Sequence, residues 1–187
     1  MNKSPIFLVF SFFIFAAGAF AQQTGRPVAI LVDNIGGSVP VRGDVRQAAP
    51  AQGSRGMSAT ERRAFELMNA ERQISGLPML EWSNEAAALA RMHARNMAES
   101  RFFSHKGPDG ETVDGRAARL GVKWLAIGEN IATMKGYEDP ATMAVETWMH
   151  STAHKRNILN GVYNQSAIAA AVASDGTVYF TQVFLSR

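Results

Sequence analysis

The sequence contains no cysteine in 187 residues. That absence excludes structural disulfides, a lipid-modified N-terminal cysteine and thiolate catalysis. Histidine is scarce, four residues in all, so imidazole chemistry has few places to reside. Beyond the first twenty or so residues no apolar run is long enough to span a bilayer. A basic stripe is missing too. From Met57 onward 14 Lys/Arg are balanced by 14 Asp/Glu, and the overall charge of +3 comes from Lys3, Arg26, Arg42, Arg46 and Arg55 less Asp33 and Asp44. Nucleic-acid binding depends chiefly on such a stripe, so that class is set aside.

What is present divides into three parts. Met1-Asn2-Lys3, the apolar run Ile6 to Phe20 and the small-x-small Ala19-Phe20-Ala21 read as a secretory signal, residues 1–21, cleaved near Ala21. An uncleaved N-terminal anchor is the alternative. Residues 22–57 read as a flexible linker with recurrent Gly and Pro, in which only Val28 to Val32 is apolar enough to dock as a short edge strand. Residues 58–187 form the folded domain, long enough for an ordinary hydrophobic core.

Ser58-x-x-Glu61 is a capping box, and Ala64, Phe65, Leu67, Met68 and Arg72 carry a helical pattern to a stop at Gly76 and Pro78. A second helix starts after Ser83, with Ala86, Leu89, Ala90, His93, Ala94 and Met97 on its packed face. His93 on that stripe reads as a hydrogen-bonded core residue. Phe102-Phe103-Ser104-His105 anchors a loop that turns at Pro108-Asp109-Gly110. Thr112 to Leu120 is a short helix from which Arg116 is expected to tie that loop down. Asp139-Pro140 opens another helix with Ala141, Ala144, Val145, Trp148, Met149 and Thr152 as its stripe. Glu146 and His150, four apart on the other side, read as a solvated ion pair. This helix runs out into a polar loop carrying Ser151, His154 and Asn157. Two strands, Ala167 to Ala173 and Thr177 to Leu185, are joined at Ser174-Asp175-Gly176, a hairpin signal.

Between these lies Ile127-Gly128-Glu129-Asn130-Ile131. As a strand it places Leu125, Ile127, Glu129, Ile131 and Thr133 on one face, expected to be the buried one. A lone ionised carboxylate among isoleucines costs several kcal/mol or more, so Glu129 needs partners or a raised pKa. His105 and His154, in polar loops on either side, are the candidates.

Four motifs in order carry a resemblance. They are Phe103-Ser104-His105 with Pro108-Asp109-Gly110; Gly128-Glu129-Asn130-Ile131-Ala132; Trp148-Met149-x-Ser151-x-x-His154-x-x-Asn157-Ile158-Leu159; and Tyr179-Phe180-Thr181-Gln182-x-Phe184. Together they resemble the CAP superfamily (cysteine-rich secretory, antigen 5 and pathogenesis-related proteins), in its cysteine-free bacterial SCP-like branch, from about Thr60 to Arg187. The resemblance implies an α+β fold, a three-layer α-β-α sandwich with a central antiparallel sheet. It also implies an exported protein, periplasmic or extracellular, with a cleft lined by histidines and acids. His105 and Glu129 match that cleft directly. Ser151 and Tyr179 stand where many members have an acid and a second His, and His154 supplies the other imidazole.

His105, Glu129 and His154 are thus the central residues, with Ser151, Tyr179 and Asn130 as binding residues. His105 and His154 are candidate ligands of a divalent cation such as zinc. The leading expectation is a module that binds a small molecule, a lipid or an extracellular protein, with cation dependence as an option. The alternative is an extracytoplasmic hydrolase or peptidase, metal-assisted or built on Ser151 and His154.

Overall fold

The computed structural model describes Val28–Ile30 and residues 56–187. The expected signal segment and most of the expected linker lie outside the described residues.

Helix α1 (Ala59–Ile74) begins where the sequence places it. Ser58 Oγ accepts from the Glu61 amide at 3.1 Å and Glu61 Oε2 accepts from the Ser58 amide at 2.9 Å, closing the capping box. Gly76 follows its end at φ +74. Helix α2 (Asn84–Ser100) is capped by Ser83, and α3 (Val113–Arg119) follows Thr112. Helix α4 (Pro140–His150) has Asp139 accepting from the Thr142 amide and Pro140 at its first position.

The expected loop after α4 is a helix instead, α5 (Thr152–Ile158), and Ser151 is both the end of one helix and the cap of the next. Its extended ψ of 124 breaks the run, while Ala153, Lys155 and Arg156 favour helix on resumption. His154 therefore projects from a helix rather than a loop.

The sheet has strand order β1-β3-β5-β4-β2. Strands β3 (Ala126–Lys135), β4 (Gln165–Val172) and β5 (Val178–Ser186) form an antiparallel centre, with Glu129 opposite Val183 and Asn130 opposite Gln182. The β4–β5 turn has Gly176 at φ +82, as Asp-Gly foretold. β1 (Val28–Ile30) does dock as an edge strand, antiparallel against Thr133–Lys135. β2 (Glu81–Trp82), two residues and unforeseen, pairs parallel with the start of β4.

Helices cover both faces. α1, α4 and α5 pack on Ala132, Met134, Ile168, Phe180 and Phe184, with Trp148 at the centre. α2 and α3 pack on Ile127, Ala167, Ala169, Val183 and Leu185. The fold is the α-β-α sandwich expected. The one-sided burial expected of β3 is corrected: Asn130, Ala132 and Met134 are as buried as Ile127, Glu129 and Ile131, because helices cover both its faces. Leu125 lies before the strand and is exposed.

Candidate functional site

Glu129 is 1% exposed and held from three sides. The His105 Nδ1–H donates to its Oε1 at 2.8 Å, and the Arg116 Nη2–H donates to its Oε2 at 2.5 Å. His93 Nε2 lies 3.9 Å from Oε1. Burial by itself pushes this carboxyl up. The hydrogen bond from His105 and, next, the Arg116 charge more than offset it and hold Glu129 below the usual range. Of the two ways to tolerate a buried acid, the fold uses partners.

Gly128 makes room on the other face of β3. A Cβ there would meet the Tyr163 hydroxyl at 2.5 Å, and Tyr163 is itself stacked on Phe184.

His105 is fixed by its own loop. Helix α2 ends with Arg101 in the left-handed region at φ 52, which turns the chain into Phe102 and Phe103. The loop then closes on itself through Gly107 N–H to the Glu111 carbonyl at 2.9 Å, with Gly110 at φ +80. Arg116 does tie the loop down: its Nη1 donates to the carbonyls of His105 at 3.1 Å and Glu111 at 2.9 Å. The His93 Nε2–H donates to the Ser104 carbonyl at 2.9 Å. His93 is fully buried, as the core reading required, and burial lowers its pKa so that it stays neutral.

His154 arrives from the other helical layer. Its ring stacks on that of His105, centroids 6.5 Å apart and planes 23° from parallel. Its Nδ1 shares a hydrogen bond of 2.8 Å with Ser151 Oγ, so the cap hydroxyl serves an imidazole rather than the backbone of α5. Asn130 is fully buried on the face opposite Glu129. Its Nδ2 donates to the His154 carbonyl at 3.2 Å and to Gln182 Oε1 at 3.3 Å, and its Oδ1 accepts from Asn157 Nδ2 at 2.9 Å. Asn130 thus positions α5 from beneath. Along the edge of β3 left open by β1, Asn157 donates to the Glu129 carbonyl at 3.3 Å and Trp148 Nε1 to the Ile131 carbonyl at 3.0 Å. The two histidines meet over this edge, where the helical layers converge.

Tyr179 is half-buried and paired with Thr133, on the Glu129 face but four residues from Val183 along β5. At about 3.4 Å per residue that is roughly 14 Å, so Tyr179 flanks the cluster rather than joining it. The expected Glu146–His150 ion pair is corrected. His150 Nδ1–H donates to the Glu146 backbone carbonyl at 2.7 Å, and both side chains are exposed. Glu146 is exposed and is not among the partners of Glu129 described above.

Among the described residues no group of three or more His, Asp or Glu is arranged to hold a metal ion. Of the expected ligands, His105 and His154 lie together, while both Glu129 oxygens are engaged by His105 and Arg116. Sequence reasoning missed Arg116 and His93 as partners of Glu129. Arg116 had a signal: it shares the buried side of α3 with Val113 and Ala117, and an arginine in such a stripe needs a buried counter-charge.

Comparison with known proteins agrees. A family model described as the CAP, cysteine-rich secretory protein family, matches residues 65–184. The uncharacterised protein YkwD of Bacillus subtilis is 33% identical over 131 residues, which cover 70% of this chain and 49% of YkwD. An extracellular protein containing an SCP domain from Bacillus anthracis superposes with a TM-score of 0.59 at 29% identity, covering 68% of this chain and 40% of that one. This chain therefore spans about half of the first relative and less than half of the second. An outer surface protein of Borrelia burgdorferi shares the fold alone, with a TM-score of 0.63 at 19% identity, covering 72% of this chain and 96% of that one. The chain belongs to the CAP, or cysteine-rich secretory protein, family.

Proposed function

We propose that this protein is an exported binding module, periplasmic or extracellular after cleavage near Ala21, in which the largely buried His105 and His154 imidazoles are the point of contact for a small-molecule, lipid or protein ligand. A divalent cation such as zinc, held by that pair, assists the contact. Export is supported by the basic-then-apolar N-terminus, by the extracellular protein of Bacillus anthracis and by the outer surface protein of Borrelia burgdorferi.

One observation carries the reading. Glu129 accepts the Nδ1 proton of His105, which fixes the tautomer and leaves Nε2 as the lone-pair nitrogen. The same arrangement follows for His154 if its Nδ1–H donates to Ser151 Oγ. Two imidazoles, stacked and oriented through their Nδ1 atoms, suit a cation whose remaining positions are filled by water or by the ligand. A carboxylate used only to orient histidine is a supporting part of such a site.

A second reading, hydrolysis, is favoured by the 2.8 Å contact of Ser151 Oγ with His154 Nδ1. In the Ser-His-Asp arrangement a carboxylate orients the base histidine, and here Glu129 orients His105, the other imidazole. The binding reading is preferred.

Calorimetric titration of zinc into the purified protein tests it, alongside His105→Ala, His154→Ala and Ser151→Ala. The expected result is uptake by wild type, loss in both histidine variants and retention within about tenfold in Ser151→Ala. Wild type that takes up no zinc sinks the cation-assisted form. Ester or peptide hydrolysis abolished by Ser151→Ala would move the protein to the hydrolase class.

A further inference from the structure

We propose that His93 is a positioning residue of the cleft, holding the His105 imidazole in place through the carbonyl of Ser104. The inference rests on reading His105 as a ligand-contacting group.

Position 93 lies on the packed face of α2, between Ala90 and Ala94, and is fully buried. An apolar side chain there would fill space without desolvating two ring nitrogens. Histidine brings Nδ1, which has no hydrogen-bond partner among the described residues. Leaving a buried acceptor unsatisfied is destabilising. Something must offset that cost, and the hydrogen bond the ring makes, beside its 3.9 Å approach to Glu129 Oε1, is the 2.9 Å one from Nε2–H to the Ser104 carbonyl.

The carbonyls on either side of His105 are both held. Ser104 is held by His93 from α2, and His105 by Arg116 from α3 at 3.1 Å. The ring is held by Glu129 from β3. Three elements thus fix one side chain. Without the donor at residue 93 the peptide plane between Ser104 and His105 is free to rotate, and a rotation there swings the Cα–Cβ bond of His105. Contact geometry of this kind tolerates only about 0.5 Å of error. A neutral ring does the work without adding charge beside Glu129, and Phe102 packs edge-on against it at 6.0 Å to set its tilt.

The test compares His93→Leu, which removes the donor, with His93→Gln, whose side-chain amide can reach the same carbonyl. His93→Met serves as a second donor-free variant should leucine prevent folding. The probe is the His105 Nδ1–H resonance and its nitrogen shift in zinc-free protein, followed by zinc titration and melting. The expected result is an unchanged His105 signal in His93→Gln. In the donor-free variants the signal shifts or is lost to solvent exchange, and zinc affinity falls about 10–100-fold. A donor-free variant that melts early yet keeps the His105 signal and wild-type zinc affinity overturns the proposal and leaves His93 a packing residue. Loss of the signal in folded His93→Gln overturns it too. If wild type binds no zinc, the cation reading fails by itself, and the resonance still decides the role of His93.

Discussion

Arg116 and Glu129 form an ion pair at 2.5 Å with side chains only 2% and 1% exposed. It joins α3 to β3 beside His105, which bonds the other carboxylate oxygen.

Removing one partner of a buried pair leaves a desolvated charge, at a cost of about 3–5 kcal/mol. Glu129→Gln and Arg116→Met are each expected to lose that much in urea denaturation. The double variant is expected to lose clearly less than the sum, because neither charge is then left alone. Additive losses would show that the two groups act independently. Near-normal stability of Glu129→Gln would contradict the buried geometry itself.

The pH dependence has two stages of the same sign. Burial lowers the His93 pKa below 6.5, so the unfolded chain binds that proton first and stability declines as the pH falls below 6.5. Glu129 is held below its unfolded value of 4.5, so its contribution is intact above 4.5 and is lost as the pH falls toward the folded value. Urea midpoints at pH 7.5, 5.5 and 4 are expected to fall in both intervals for wild type. His93→Gln should flatten the upper interval. A His93→Gln profile parallel to wild type there would contradict the assignment.

Gly128→Ala places a methyl 2.5 Å from the Tyr163 hydroxyl and 3.1 Å from Cζ. Overpacking of this sort costs about 1–3 kcal/mol. Tyr163→Phe in the same chain removes the nearer clash and is expected to restore part of the loss, measured as melting temperature. No recovery would mean that the strain lies in the β3 backbone.

Arg101 holds a left-handed conformation at φ 52, which glycine adopts without steric penalty. Arg101→Gly is expected to change stability by less than about 1 kcal/mol, gaining from relieved strain and losing the 2.8 Å bond from Arg101 to Ser174 Oγ. A larger loss would show that the Ser174 contact anchors the loop.

Much of this was legible in the chain. Ser58 and Glu61 announce α1 because a capping box is a local device, and Asp175-Gly176 announces the hairpin for the same reason. The conflict at Glu129 was visible as an acid among isoleucines. What sequence could not supply was long-range pairing. Arg116 is thirteen residues from Glu129, and no periodicity shows that the two meet. His93 reads as core and is core, yet its use lies in a hydrogen bond across the α2–α3 loop. The short α5 was missed because Ser151 halts one helix and starts another, which a pattern of apolar spacing reads as a single ending. Asn130 stood beside Glu129 in the motif, but strand alternation sends it to the opposite face, where it supports α5.

The edge of β3 beneath the histidines is closed by side chains, with Trp148 and Asn157 occupying the Ile131 and Glu129 carbonyls. An extended polypeptide therefore cannot graft itself onto the sheet at this spot by main-chain pairing. Under the binding reading proposed above, a ligand at the histidine pair presents a side chain, a headgroup or a small molecule end-on. Selectivity then resides in the chemistry of that tip, not in the sequence of a docked strand.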